Sequence, residues 1–150
     1  MNLEPGELER SLALALARGQ KVRIRLTGRS MWPWLREGDW ATIGPCAPRP
    51  RLGQVVVFPL HGRLAAHRVV WLSRDGRRLR CKGDALTRPD PPLETQALIG
   101  QVCRLETRQA WRAGLHDSLP LAWLSWLSPP AYWLLKRGLF WKRRKGPGSA

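Results

Sequence analysis

The sequence predicts a mostly β fold: a compact antiparallel β unit with a helix before it and helices after it. Three observations lead there. The middle of the chain is a series of short, β-branched segments separated by turn residues. One of them, KVRIRLTG (21–28), sets Val22, Ile24 and Leu26 against Lys21, Arg23 and Arg25, the period of a half-buried strand. Outside this block the pattern changes to leucine-rich stretches of helical period.

Taken in order, Leu8, Leu12 and Leu16 recur at four-residue spacing and predict an amphipathic helix ending at Gly19. Glu7 and Glu9 early and Arg18 in the last turn suit the helix dipole. After the 21–28 strand, WATI (40–43) is a short strand and PCAPRPRLG (45–53), with three prolines, a loop. QVVVF (54–58) is a well-buried strand. LAAHRVVWL (64–72), the turn SRDG (73–76) and RRLRCKG form a hairpin. DALTRPDPPLET (84–95) reads as a loop and IGQVCRLETR (99–108) as the last strand. From residue 109 Trp111, Trp123, Trp126, Trp133 and Trp141 gather among leucines, Pro129-Pro130 divides two expected helices, and KRGLFWKRRKG ends basic. The chain therefore divides into an N-terminal helix (1–20), a β-rich unit (21–108) and a tryptophan-rich basic extension (109–150).

With 150 residues and 43% hydrophobic content the chain has the length of one domain and is not disordered. Lys and Arg number 26 against 11 acids, a net charge of +15 that favours anionic partners. The arginines are scattered among strands and loops, so nucleic acid is not the expected partner. Cys46, Cys81 and Cys103 are odd in number, widely spaced and without a CxxC, which argues against a zinc site or a disulfide framework; no metal or other cofactor is expected. No secretory signal and no clear membrane span are read from the chain. The basic, tryptophan-rich extension suits either a cover for one sheet face or a peripheral contact with an anionic membrane.

One small hydroxyl draws attention to GRSMWPWLREGDW (28–40): Ser30, just past a strand end, between Gly28 and Pro33. A serine needs a base within reach, and the base needs an orienting group. His67, mid-strand behind two alanines, is better placed than His61, in a turn, or His116, expected on a helix surface. Asp84 and Asp90 are both able to hold an imidazole, and Lys82 is a rival base expected to point to water.

Ser30-Met31-x-Pro33, Gly38-Asp39, GQVVVF, His67-Arg68-Val69-Val70, Lys82-Gly83-Asp84-Ala85, Asp90 and Ile99-Gly100-Gln101-Val102 come in an order that resembles the signal peptidase I family, whose clan also holds the self-cleaving SOS repressors. The resemblance covers residues 22 to about 105. It implies a compact antiparallel β peptidase fold and a serine endopeptidase acting on a protein or peptide precursor bound as an extended strand, with small side chains before the cut. The common bacterial form has lysine where this chain has His67; the archaeal and endoplasmic-reticulum form has histidine there, and this chain looks like the latter. By that resemblance Ser30 is the nucleophile, His67 the base, Asp90 its partner and Asp84 a supporting residue, with the two aspartates open to exchange. Family members carry a membrane anchor ahead of the serine; here a charged helix occupies 1–20, so a cytoplasmic site, or a peripheral one on the inner membrane face, is expected. The competing expectations are a catalytically silent basic module for anionic membrane or nucleic acid, and a self-cleaving regulator.

Overall fold

The computed structural model describes residues 5–124 and is mostly antiparallel β. A helix, α1 (Pro5–Ala17), leads into β1 (Val22–Arg25), β2 (Trp40–Gly44), β3 (Val55–Leu60), β4 (Arg63–Leu72), β5 (Arg78–Lys82), β6 (Leu93–Glu94) and β7 (Gly100–Glu106). A 3-10 segment (Ala110–His116) and a short helix, α2 (Leu119–Leu124), follow. The seven strands make one sheet in the order β1-β2-β7-β3-β4-β5-β6, every pairing antiparallel.

The valine run explains the core. In a strand successive side chains leave on opposite faces, and β3 is buried on both. Val55 and Val57 join Leu12, Leu16, Ile43 and Val102 on one side. Val56 and Phe58 join Val69, Leu79 and Cys81 on the other. One strand thus ties together two hydrophobic clusters. β1 keeps the expected alternation, with Val22 and Ile24 half-buried and Arg23 and Arg25 exposed.

Several boundaries differ from expectation for local reasons. Helix α1 stops at Ala17, so Arg18 lies just past its last turn, and Gly19 at φ 74° takes the chain out of it. Leu12 and Leu16 enter the core, but Leu8 stays 43% exposed because it lines a cleft beside the sheet. Strand β3 runs on to Leu60 and meets β4 through His61 (φ 50°) and Gly62 (φ 74°), a two-residue turn of left-handed residues that matches strand twist. The expected loop at 84–95 ends in the two-residue strand β6, which completes the sheet edge against β5.

The start of the 109–150 extension is bound to the sheet. Gly53 and Ser118 bond through their backbones, Arg51 pairs with Asp117, and Arg112 reaches Asp39. The second C-terminal helix, Trp126, Trp133, Trp141, Pro129-Pro130 and the basic end lie outside the described residues. Among the described residues no helix is long and apolar enough to cross a membrane.

Candidate functional site

The serine loop is anchored from below. Gly28 at φ 82° turns the chain out of β1, and Met31 and Leu35 drop into the first hydrophobic cluster. The amides of Trp32 and Leu35 close turns onto Arg29 and Met31 carbonyls at 3.1 Å. Asp39 fastens the exit of the loop. It accepts a hydrogen bond from the Arg36 amide at 2.9 Å and pairs with the buried Arg112 guanidinium at 2.7 Å. Ser30, half-buried between these anchors, faces the cleft.

The segment 83–90 is stitched over this loop. The Ala85 amide donates to the Ser30 carbonyl at 2.8 Å. Gly83 lies so close that a Cβ there would fall 2.6 Å from the Ser30 carbonyl oxygen. Only glycine fits that approach. Seven residues after Gly83, the Asp90 amide donates to the Cys81 carbonyl at 2.8 Å, which fixes the far end of the segment.

His67 and Arg68 are consecutive on β4, and each takes one aspartate from this segment. His67 is buried, its Nδ1–H donating to Asp90 Oδ2 at 2.7 Å, with the Phe58 ring edge-on at 5.9 Å between centroids. That bond commits Nδ1 as the donor and leaves Nε2 as the nitrogen able to accept a proton. Arg68 is fully buried and donates through Nε and Nη2 to the two Asp84 oxygens, at 2.9 and 2.7 Å. Its Nη1 donates to the Gly53 and Leu115 carbonyls at 2.7 and 2.8 Å. Asp84 is therefore engaged by arginine and Asp90 by histidine.

Ser30 and His67 line the same cleft, about 510 Å³ in volume, between α1, the end of β1, the serine loop and the first half of β4. Among the described residues the Ser30 hydroxyl is hydrogen-bonded to no side chain, His67 included. Among the described residues the amides of Ser30 and Met31 donate to no backbone carbonyl either. Two strand edges border the cleft. Among the described residues β1 pairs only with β2, and residues 63–67 of β4 pair only with β3, because β5 joins β4 from Arg68 onward.

Lys82 does not point to water, contrary to expectation. It is 4% exposed, because the segment after β5 folds back over the Ser30 loop instead of turning into solvent. Burial pulls its ammonium below the usual lysine range, and the neighbouring Asp84 partly opposes that shift. His61 is exposed in its turn, and His116 bonds through Nδ1 to the Ala113 carbonyl; neither lines the cleft.

Arg68 and Arg112 contribute through partners that no sequence motif announces. Their signal was faint: each is an arginine whose acid lies far along the chain. A larger surface hollow, about 830 Å³, holds Cys46, Asp75 and Glu94 but no histidine. Burial, and secondarily Cys103, pushes the Cys46 thiol up to about 11, so it supplies no thiolate there. Among the described residues no group of acids, histidines and cysteines is arranged to hold a metal ion.

No family profile matches the chain, and no match to it was found among curated proteins or among solved structures.

Proposed function

We propose that this chain is a serine endopeptidase of signal peptidase I type, with Ser30 as nucleophile, His67 as general base and Asp90 as the residue that orients it. The observation that carries the reading is the buried Nδ1–H···Oδ2 bond from His67 to Asp90, on the wall of the cleft that Ser30 also faces.

A peptide laid between the edges of β1 and β4 extends the sheet. Its carbonyl brings the Ser30 hydroxyl and His67 Nε2 together, a contact that commonly tightens only when substrate is bound. Oγ attacks the carbonyl carbon and its proton passes to Nε2. Asp90 stabilises the resulting imidazolium and holds its orientation. The negative charge on the carbonyl oxygen is met by the amides of Ser30 and Met31, each such donor being worth about 3 kcal/mol of transition-state stabilisation. The imidazolium then gives its proton to the leaving amine. Water, deprotonated by the same nitrogen, hydrolyses the acyl-serine and restores the hydroxyl. Asp84 supports the site from behind through Arg68.

The test is labelling of the purified full chain by a fluorophosphonate. Wild type is expected to label, and Ser30→Ala and His67→Ala to be silent. Labelling that survives Ser30→Ala removes the nucleophile; loss in Lys82→Ala but not in His67→Ala transfers the base role to lysine. A peripheral location on an anionic membrane face accompanies the reading, supported by the exposed Leu119 and Trp123 and by the basic end of the sequence. Flotation with anionic vesicles, for the full chain against one ending at residue 124, tests it. That cut spares Arg112.

A further inference from the structure

The cleft's lining carries charge of one sign. It is apolar except for Arg25, Thr27, Ser30, Arg36, Arg63 and His67. Three of these are arginines, and among the described residues no carboxylate lines the cleft. Arg25 and Arg63 are exposed and make no ion pair among the described residues. By contrast, Arg23 pairs with Glu106 and stacks on Trp40, while Arg51, Arg68 and Arg112 all have acids. Arg25 and Arg63 thus bring two guanidiniums without a carboxylate partner among the described residues to the cleft that Ser30 and His67 line.

We infer that the cleft selects peptides carrying an acidic side chain beside an apolar stretch, with Arg63 and Arg25 as specificity-determining residues. This rests on the peptidase reading of the same cleft and adds the substrate's chemical class. A peptide covering these guanidiniums takes them out of water. A carboxylate restores a charge-assisted partner, a neutral side chain leaves the cation unpaired, and a basic one repels it. The register follows from β4. Arg63 stands four residues before His67, about 13 Å along a strand, and on the same face by alternation. The preferred acid therefore falls about four residues from the scissile bond.

The experiment uses the full-length Ser30→Ala chain, which binds without cutting, and short alanine- and valine-rich fluorescent peptides. A single glutamate, glutamine or lysine is scanned along each, and binding is read by anisotropy. Glutamate peptides are expected to bind about fivefold tighter than their glutamine counterparts, as for a partly exposed ion pair. Lysine peptides are expected to bind weakest. The glutamate advantage should vanish on adding Arg63→Gln together with Arg25→Gln, and turn toward lysine with Arg63→Glu. Arg77→Gln, which changes net charge equally but borders the other hollow, should leave it intact. Equal binding of glutamate and glutamine peptides, no measurable binding by any, or an equal loss in Arg77→Gln each overturns the inference. Fluorophosphonate labelling of wild type is read in parallel. Absent labelling strikes the peptidase reading, whereas labelling without acid preference strikes only the substrate class.

Discussion

His67 and Arg68 are neighbours on one strand, and each is paired with an aspartate from one short segment, yet the two pairs differ in what they leave over. Arg68 has its Nε, Nη1 and Nη2 all engaged, by Asp84 and by two backbone carbonyls, and nothing on it remains to react. Among the described residues His67 has one nitrogen engaged and one not, and it stands on the cleft. Strand alternation sends the two side chains to opposite faces. The same segment therefore supplies a structural clamp on one face and an orienting acid on the other. A buried pair with every donor satisfied holds shape; one with a remaining acceptor can move a proton.

That contrast is open to attack, beginning with the largest effect. Asp90→Asn should lower the turnover of peptide cleavage by about three to four orders of magnitude, because the amide stops holding the imidazole in the tautomer that frees Nε2. Thermal unfolding should shift little in the same variant. A large stability loss with unchanged turnover would erase the distinction between the two pairs. Asp84→Ala should behave in the opposite way, costing about 3 kcal/mol in denaturant unfolding by stranding the buried Arg68, while the folded fraction still labels with fluorophosphonate. Adding Arg68→Met should restore part of that stability, with a coupling of about 1 kcal/mol or more in the double-mutant cycle.

Gly83→Ala tests the stitch between the two regions. The new methyl meets the Ser30 carbonyl, and overpacking of that kind costs about 2 kcal/mol. It should also slow labelling by displacing Ser30, measured as the second-order rate with the probe. The smallest effect concerns Lys82. Its folded-state pKa lies below the ordinary 10.5, so the unfolded chain holds more protons just under that pH. This group therefore makes stability rise with pH toward 10.5 and lose ground as pH falls through the folded value. Lys82→Met should lack that component of the slope in alkaline unfolding titrations. Comparison of the two proteins removes the opposing contribution of Cys46, whose raised pKa makes stability fall as pH climbs from 9 to about 11.

Local pattern carried much of this architecture. The valine run, the alternation at 21–28 and the SRDG turn each encode their element within a few residues, and each appears close to where it was expected. β6 was illegible because two residues after Pro91-Pro92 carry no period; only its pairing with β5 makes it a strand. For the site, the sequence singled out Ser30, His67, Asp84 and Asp90, and spacing alone left the two aspartates interchangeable. Their division depends on the β4–β5 register, which sets Arg68 opposite Lys82 and so carries the next residues past the arginine first. The burial of Lys82 and the roles of Arg68 and Arg112 depend on partners brought in by the fold. A charged side chain read without them is assigned to solvent by default.

The six-residue spacing from Asp84 to Asp90 works as a ruler with a β4 side chain at each mark, Arg68 at the first and His67 at the second. Deleting or inserting one residue between 85 and 89 cannot be absorbed as in an ordinary surface loop, because slack at one mark is error at the other. Length in this stretch should thus be less tolerant of change than its amino-acid identity, an asymmetry that an insertion scan would expose without any substrate in hand.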